Sequence, residues 1–406
     1  MFLKRIYRYI KNKNLLLKSQ HKNLDLLCYP KIETEIDYMR ELSRILWYTH
    51  PFCGKIDKII FLVNEALSEN INNFSPPIYV DKIVVDYYSF IKDKIIFITD
   101  ELQLKNQKID IIFKWNKCES IPQIKSRFPY IVNASIYNNQ FEANQMAKLS
   151  YSFLDTSLKL ENSKRLKQYL RKLKDMKYKS INLFGSGPSI NRYTQYTYDR
   201  SLSIVCNSIV KNKELLHTVQ PKIIVATDAV FHAGYSIYAA DFRNALCEAF
   251  DLLDELIFIV PLRDLMIYKS NLPVKYTKRI YGLEGKTINQ FNFNLLEKLY
   301  TKSTSNVLTF FMIPLATTIS KNINILGFDG KDTTIKDKFW NYDEKSQFTS
   351  IDYTKIAHPA FYNVDYDEYY SLHCAELKKM TNMFSFNGIK CTILAPSKIP
   401  ALEMLR

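Results

Sequence analysis

Glycine is scarce in this chain, with 9 in 406 residues, and proline is modest at 14. That excludes collagen-like and low-complexity architectures and makes each glycine worth locating. Cysteines stand at 28, 53, 118, 206, 247, 374 and 391, an odd number with no C-x-x-C pair. Neither a disulfide framework nor a structural zinc site is expected, and a reducing cytoplasmic compartment fits. No apolar run reaches the roughly 18 residues of a membrane-spanning helix. Charges interrupt the amino terminus throughout, so no signal peptide is expected. Aspartates spaced D-x-D occur only at Asp365-Tyr366-Asp367.

What is present describes a globular chain with room for two domains. Apolar residues make up 47% and aromatics 14%, including 28 tyrosines. Tyrosine pairs a flat face with a hydroxyl, which suits nucleotides and sugars. Net charge is +15. Its densest block is Met1 to Lys22, where Lys4, Arg5, Arg8, Lys11, Lys13, Lys18 and Lys22 occur without an acid. Apolar residues interleave there at helical spacing, the pattern of a helix lying on an anionic membrane. No groove-reading or RNA-binding motif follows, so nucleic acid is not expected as a partner. A homo-oligomer stays open.

The chain reads as α/β throughout, two Rossmann-like domains with mostly parallel sheets. A basic segment (1–35) precedes an amino-terminal domain (36–156), a helical connector (157–180) and a carboxy-terminal domain (181–406). In the first domain, Glu33 to Trp47 reads as a helix. Apolar β-branched runs at Lys58–Val63, Lys82–Val85, Lys94–Thr99, Ile109–Phe113 and Ile131–Val132 read as strands. In the second, strands are expected at Ile181–Phe184, Ser203–Cys206, Lys222–Ala226, Glu255–Val260, Ile323–Leu326 and Lys390–Leu394. Helices are expected at Ile237–Leu253, Thr287–Leu299, Ser305–Ser320 and Tyr369–Phe386.

Ligands of open parallel sheets bind beyond the carboxyl ends of the strands. A small or polar cluster follows each of five strands there. These are Gly185-Ser186-Gly187-Pro188-Ser189, Asn207-Ser208, Thr227-Asp228, Gly327-Phe328-Asp329-Gly330 and Ala395-Pro396-Ser397. The first lets backbone come close to a ligand, and its N–H groups are candidates to hold a phosphate. It lacks the third glycine and downstream acid of a dinucleotide fingerprint.

The ordered set resembles the bacterial sialyltransferases of glycosyltransferase family forty-two and the wider superfamily of Maf-type, MptE-like glycosyltransferases. The matching residues are Gly185 to Ser189, Cys206-Asn207 twenty positions after Gly187, Thr304-Ser305-Asn306-Val307, Ile325 to Asp329 and Ala395-Pro396-Ser397. They cover about half the chain, and the extra amino-terminal domain has no counterpart in small members. The resemblance implies a sialyltransferase-like variant of the GT-A fold. It also implies an inverting, metal-independent transferase moving a nonulosonic acid from a CMP-activated donor to a bacterial surface glycan. It implies no cofactor, with the nucleotide sugar and a glycan acceptor as partners; the basic block Met1 to Lys22 would dock the enzyme on the inner membrane face. His373, 23 positions before Pro396, would be the general base, with His358 the runner-up. Tyr362, Tyr366 and Tyr369 would assist departure of the phosphate, with Tyr342 and Tyr353 earlier in the long segment from Gly330 to Asp367, a candidate lid. Gly185, Ser186, Gly187, Pro188, Ser189, Asn207, Ser208, Thr227, Asp228, Lys302, Thr304, Ser305, Asn306, Gly327 and Asp329 would bind donor and nucleotide.

The chain departs from the family at Ser186, which replaces an Asn, at Asn306, which replaces a Gly, and at Lys302, which replaces an Arg. The family's N-P is missing near Thr227-Asp228. Three other readings remain, the first a transferase using another nucleotide sugar. A magnesium-dependent diphosphokinase of the same superfamily would use Asp228, Asp329 and Asp365, and a membrane-associated glycan-binding protein would have no activity.

Overall fold

The computed structural model describes residues 23–70, 73–116, 120–126, 129–135, 139–331, 344–346, 348 and 355–406. The basic block Met1 to Lys22, Tyr342, Tyr353 and half of the candidate lid lie outside these residues. The chain forms two α/β units. One comprises Met1–Leu154, Ala229–Ala239 and Asp352–Phe361; the other comprises Asp155–Asp228, Ala240–Ile351 and Tyr362–Arg406. Each carries a parallel sheet. Among the described residues no helix is long and apolar enough to cross a membrane.

The amino-terminal sheet contains β1 (Leu24–Ile32), β2 (Ile56–Val63), β3 (Ile95–Ile98), β4 (Ile111–Lys114) and β5 (Tyr130–Asn133), in the order β3-β2-β1-β4-β5. With it go helices α1 (Glu35–Thr49), α2 (Glu65–Asn70), α3 (Ile83–Ile91) and α4 (Gln140–Ser152). The middle strand, β1, lies inside the stretch expected to belong to the basic segment 1–35. Its Leu26, Leu27 and Cys28 are wholly buried, and Leu26 registers with Ile59 on one side and Ile111 on the other. Lys82–Val85, expected as a strand, instead starts α3. Asp81 accepts from the Ile83 amide at 3.1 Å, and Val84, Tyr87 and Ile91 form a buried helical stripe.

The carboxy-terminal sheet has eight strands: β6 (Ser180–Phe184), β7 (Ser201–Cys206), β8 (Ile223–Val225), β9 (Ile257–Pro261), β10 (Ile280–Lys286), β11 (Tyr300–Lys302), β12 (Asn322–Leu326) and β13 (Lys390–Ile393). Its helices are α5 (Thr156–Asp175), α6 (Lys213–Val219), α7 (Ile237–Leu252), α8 (Leu265–Asn271), α9 (Ile313–Ile319), α10 (Tyr366–Thr381) and α11 (Pro400–Glu403). The helix expected as a connector, α5, is part of this unit. It buries Leu166, Leu170 and Leu173 on one face. Its buried Asn162 exchanges two hydrogen bonds with the Gly282 backbone, at 2.8 and 2.9 Å.

Thr287–Leu299 is not helical. Asn292 donates to the carbonyls of Lys298 and Tyr300, and Asn294 accepts from the Leu296 amide. Such local side-chain bonds compete with a helix. The expected helix Ser305–Ser320 begins with a π turn, Leu308–Met312, before α9.

Strand order is β11-β10-β9-β8-β7-β6-β12-β13. The chain winds outward from β6 through β11, then returns to the other side of β6 with β12. The switch point of this sheet is therefore the crevice between the carboxyl ends of β6 and β12, where open α/β sheets bind ligands.

Candidate active site at the sheet switch point

The glycine turn and the Gly327-Phe328-Asp329 cluster lie side by side at this switch. The Gly185 amide donates to Leu326 O and the Gly187 amide to Gly327 O, both at 2.8 Å. A Cβ on Gly185 would stand 2.4 Å from Gly327 O, and one on Gly327, whose φ is +79°, would stand 2.0 Å from Gly185 O. A Cβ on Gly187 would meet Asp329 Oδ2 at 2.2 Å. The three glycines let two backbones meet, so the Gly185 and Gly187 amides are not free to hold a phosphate.

Asp329 completes the junction. It accepts from the Ser189 amide at 3.1 Å and from the Ser189 hydroxyl at 3.0 Å, while Gly327 N donates to Ser189 Oγ at 3.1 Å. Pro188 has no amide proton, which leaves Ser186 N–H as the turn's unpaired donor among the described residues. The end of β13 joins the same junction through Ser397 Oγ, which donates to Phe328 O at 2.6 Å. Three of the five expected rim clusters are thus bonded together.

The clusters after β7 and β8 contribute open chemistry. Asn207 holds a left-handed φ of +52°, and its buried Oδ1 has no hydrogen-bond partner among the described residues. Ser208 beside it is buried. At the end of β8, Asp228 is close enough for its charge to act on the Tyr369 hydroxyl.

Helix α10 provides the titratable face. Asp365 caps it by accepting from the amides of Asp367 and Glu368 at 3.0 Å each. Spacings of four and three residues set Tyr369, His373 and Glu376 on one stripe. Tyr369 donates to Ser305 O, and Glu376 pairs with Lys302 at 2.7 Å. His373 lies between these two contacts, facing the 302–306 segment. It is 5% exposed, and its buried Nδ1 has no partner among the described residues. Burial pulls its pKa down to about 4, so the imidazole is neutral at pH 7. The Tyr369 ring is 39% exposed. Its hydroxyl end is enclosed, and this burial, reinforced by Asp228, holds the phenol above its ordinary pKa. Tyr366 packs edge-on against Tyr369 at 6.5 Å, and Tyr362 is half-buried just before α10.

Some expected donor-binding groups are occupied locally. Thr304 Oγ1 pairs with Thr309 Oγ1 at 2.8 Å, and Asn306 Oδ1 accepts from Leu308 N at 2.9 Å. The Lys302 ammonium, besides its pair with Glu376, lies 4.5 Å from the Phe291 ring centroid. Thr227 shows no such tie. Tyr370, the fourth of the tyrosines clustered before His373, donates to Lys398 O at 3.2 Å, and burial pushes its pKa up to about 12. Glu376 was not expected from the sequence; its signal was spacing alone, three residues after the stripe's histidine.

His358, the alternative base, belongs to the amino-terminal unit and not to this rim. It is 1% exposed, with Nε2 3.2 Å from Ser236 Oγ and its ring 4.9 Å from that of Phe231. Burial, then the nearby Arg44 charge, lowers its pKa to about 3.

Among the described residues no three His, Cys, Asp or Glu side chains converge as a metal-binding group. Two of the three carboxylates considered for magnesium are committed, Asp329 to Ser189 and Asp365 to the cap of α10. Comparison with family models, curated proteins and solved structures finds no match to this chain.

Proposed function

We propose that the carboxy-terminal unit is a glycosyltransferase that inverts the anomeric centre of a nucleotide-activated sugar, with His373 as general base. The observation carrying this reading is the stripe on α10. It presents a buried, neutral imidazole with an unpartnered nitrogen, flanked by a phenol and by an ion pair that includes Lys302. A neutral imidazole accepts a proton from an acceptor hydroxyl as that oxygen attacks the anomeric carbon. The bond to the nucleotide phosphate breaks as the new glycosidic bond forms. Tyr362 and Tyr366, at the entry to α10, are phenol donors suited to stabilising the departing phosphate. Beside the switch, Ser186 N–H and Asn207 Oδ1 are a donor and an acceptor without partners among the described residues, available to the donor's polar groups.

The motif resemblance narrows the donor to a CMP-activated nonulosonic acid and the acceptor to a bacterial surface glycan. The basic block Met1 to Lys22 and the scattered cysteines support a cytoplasmic enzyme, peripheral on the inner membrane face. The carboxylates that a magnesium-dependent diphosphokinase would need are mostly committed within the fold, which favours the transferase. A thermal-shift screen against CMP, CDP, UDP and GDP sugars tests the donor. Stabilisation by CMP sugars is expected, and stabilisation by UDP or GDP sugars alone would sink the assignment. Turnover is expected to persist in EDTA.

A further inference from the structure

The opposite edge of the carboxy-terminal sheet carries a second pattern. All its strands are parallel, so their amino ends share one edge. Across the five adjacent strands β8-β7-β6-β12-β13, the residue just before each strand, or its first residue, is cationic: Lys222, Arg200, Lys179, Lys321 and Lys390. Strands lie about 4.8 Å apart, so the row runs for roughly 20 Å. Lys222 pairs with Glu255, whereas Lys179, Arg200, Lys321 and Lys390 are exposed and form no ion pair among the described residues. Partial burial and then the Lys174 charge of α5 lower the Lys321 pKa, with Glu297 opposing them.

Two further features mark this edge. Lys177 and Arg200, in the turns entering β6 and β7, hold φ of +52° and +54°. Glycine takes that conformation at no steric cost, whereas other L-residues spend about 1 kcal/mol or more on it. Exposed apolar side chains also gather in the connections entering the strands. Met176 precedes β6 (53% exposed), Val274 precedes β10 (84%), and Phe386 precedes β13 (90%). Like charges lined along one edge, with Met176 and Phe386 exposed in the connections entering β6 and β13, are unfavourable in water alone. An anionic bilayer answers both, taking the cations at its headgroups and the apolar tips at the acyl boundary. A nucleic acid or acidic glycan would answer the cations and leave Phe386 and Val274 in water.

We propose that this amino edge docks the carboxy-terminal unit on an anionic phospholipid surface, leaving the β6/β12 rim at the far edge of the sheet open to the acceptor. The docking does not depend on the catalytic reading.

The test uses the full chain. Co-sedimentation with phosphatidylcholine vesicles, with and without phosphatidylglycerol, is compared for the parent protein and Lys179→Glu/Arg200→Glu/Lys321→Glu. At roughly fivefold per cation, binding to the anionic vesicles is expected to weaken about a hundredfold. Because the Met1 to Lys22 block could also hold vesicles, Phe386→Trp serves as a local reporter. The emission that this substitution adds is expected to shift blue with phosphatidylglycerol vesicles and not with phosphatidylcholine alone. No shift from the Phe386→Trp reporter, or a charge-reversed protein that stays folded and binds vesicles as the parent does, would overturn the proposal. So would loss of oligonucleotide or heparin binding on charge reversal with vesicle binding unchanged.

Discussion

Each unit has a switch point in its parallel sheet, and the two are filled differently. In the amino-terminal sheet it lies between β1 and β4. There the Trp115 amide bonds to Tyr29 O at 3.0 Å, and its indole Nε1 bonds to Pro30 O at 2.7 Å. A large side chain plugs the crevice. In the carboxy-terminal sheet the crevice between β6 and β12 is lined by Gly185, Gly187 and Gly327, whose backbones meet directly. Topology supplies the same location twice; an indole fills the first, and in the second small residues let the two backbones bond directly, with Asp329 and Ser189 completing the junction.

The largest expected effect breaks the glycine junction. Gly327→Ala places a Cβ 2.0 Å from Gly185 O at a left-handed φ. It should cost at least ~3 kcal/mol and abolish the thermal shift with CMP sugars. Trp115→Ala should lower stability by a similar ~3 kcal/mol through the cavity it leaves. Its CMP-sugar affinity should match the parent at a temperature where both are folded. Isothermal titration separates the two, and lost affinity in Trp115→Ala would refute a ligand site confined to the second switch.

The two buried histidines sharpen the same contrast. His373→Gln should lower kcat about a thousandfold, within the usual range for a general base, with little change in melting temperature. His358→Gln loses the Ser236 contact and the packing on Phe231. It should lower stability by about 1–3 kcal/mol and leave kcat per folded molecule unchanged. Equal kcat in the parent and His373→Gln would remove the imidazole from the chemistry.

The β6, β7, β12 and β13 runs were legible because buried parallel strands read as continuous apolar stretches, and the glycine and polar clusters follow them directly. β1 was not, since Asp25, Pro30 and Lys31 break its run next to a basic block. Ile83-Val84-Val85 was misread because a short β-branched run does not distinguish a strand from a buried helix turn. The role of the glycines was half legible. Their spacing marks close approach, but what approaches is β12 and not a ligand, a tertiary fact no local pattern carries. His373 came from motif order. Its low pKa and its flanking partners come from the packing of α10 against the segment after β11.

That packing has a pH signature. With its folded pKa near 4, His373 stays unprotonated down to that value, so kcat/KM should fall on the acid side around pH 4 and not around 6.5. Both histidines are depressed in the fold relative to an unfolded value near 6.5. Their contribution to stability is complete above about pH 6.5. It declines as pH falls toward 4 for His373 and 3 for His358, by ~3 kcal/mol or more for each. Urea unfolding at pH 7 and pH 5 should show the loss. It should shrink in His373→Gln, and an undiminished loss in that variant would mean that this histidine is not buried neutral.

The smallest effect concerns two left-handed residues within the second unit. Asn207 holds φ +52° with its Oδ1 unpartnered, while Gln220 holds φ +42° and donates through Nε2 to His217 O at 2.8 Å. Glycine relieves the backbone in both places, offset by the entropy it adds to the unfolded chain. Asn207→Gly and Gln220→Gly should therefore each change stability by no more than ~1 kcal/mol. Only Asn207→Gly should weaken CMP-sugar affinity, by about tenfold, the worth of a hydrogen bond to a buried acceptor. Titration of both variants decides the role of this amide. Equal affinities would reduce Asn207 to a turn residue and shift the donor contacts to Ser186 N–H.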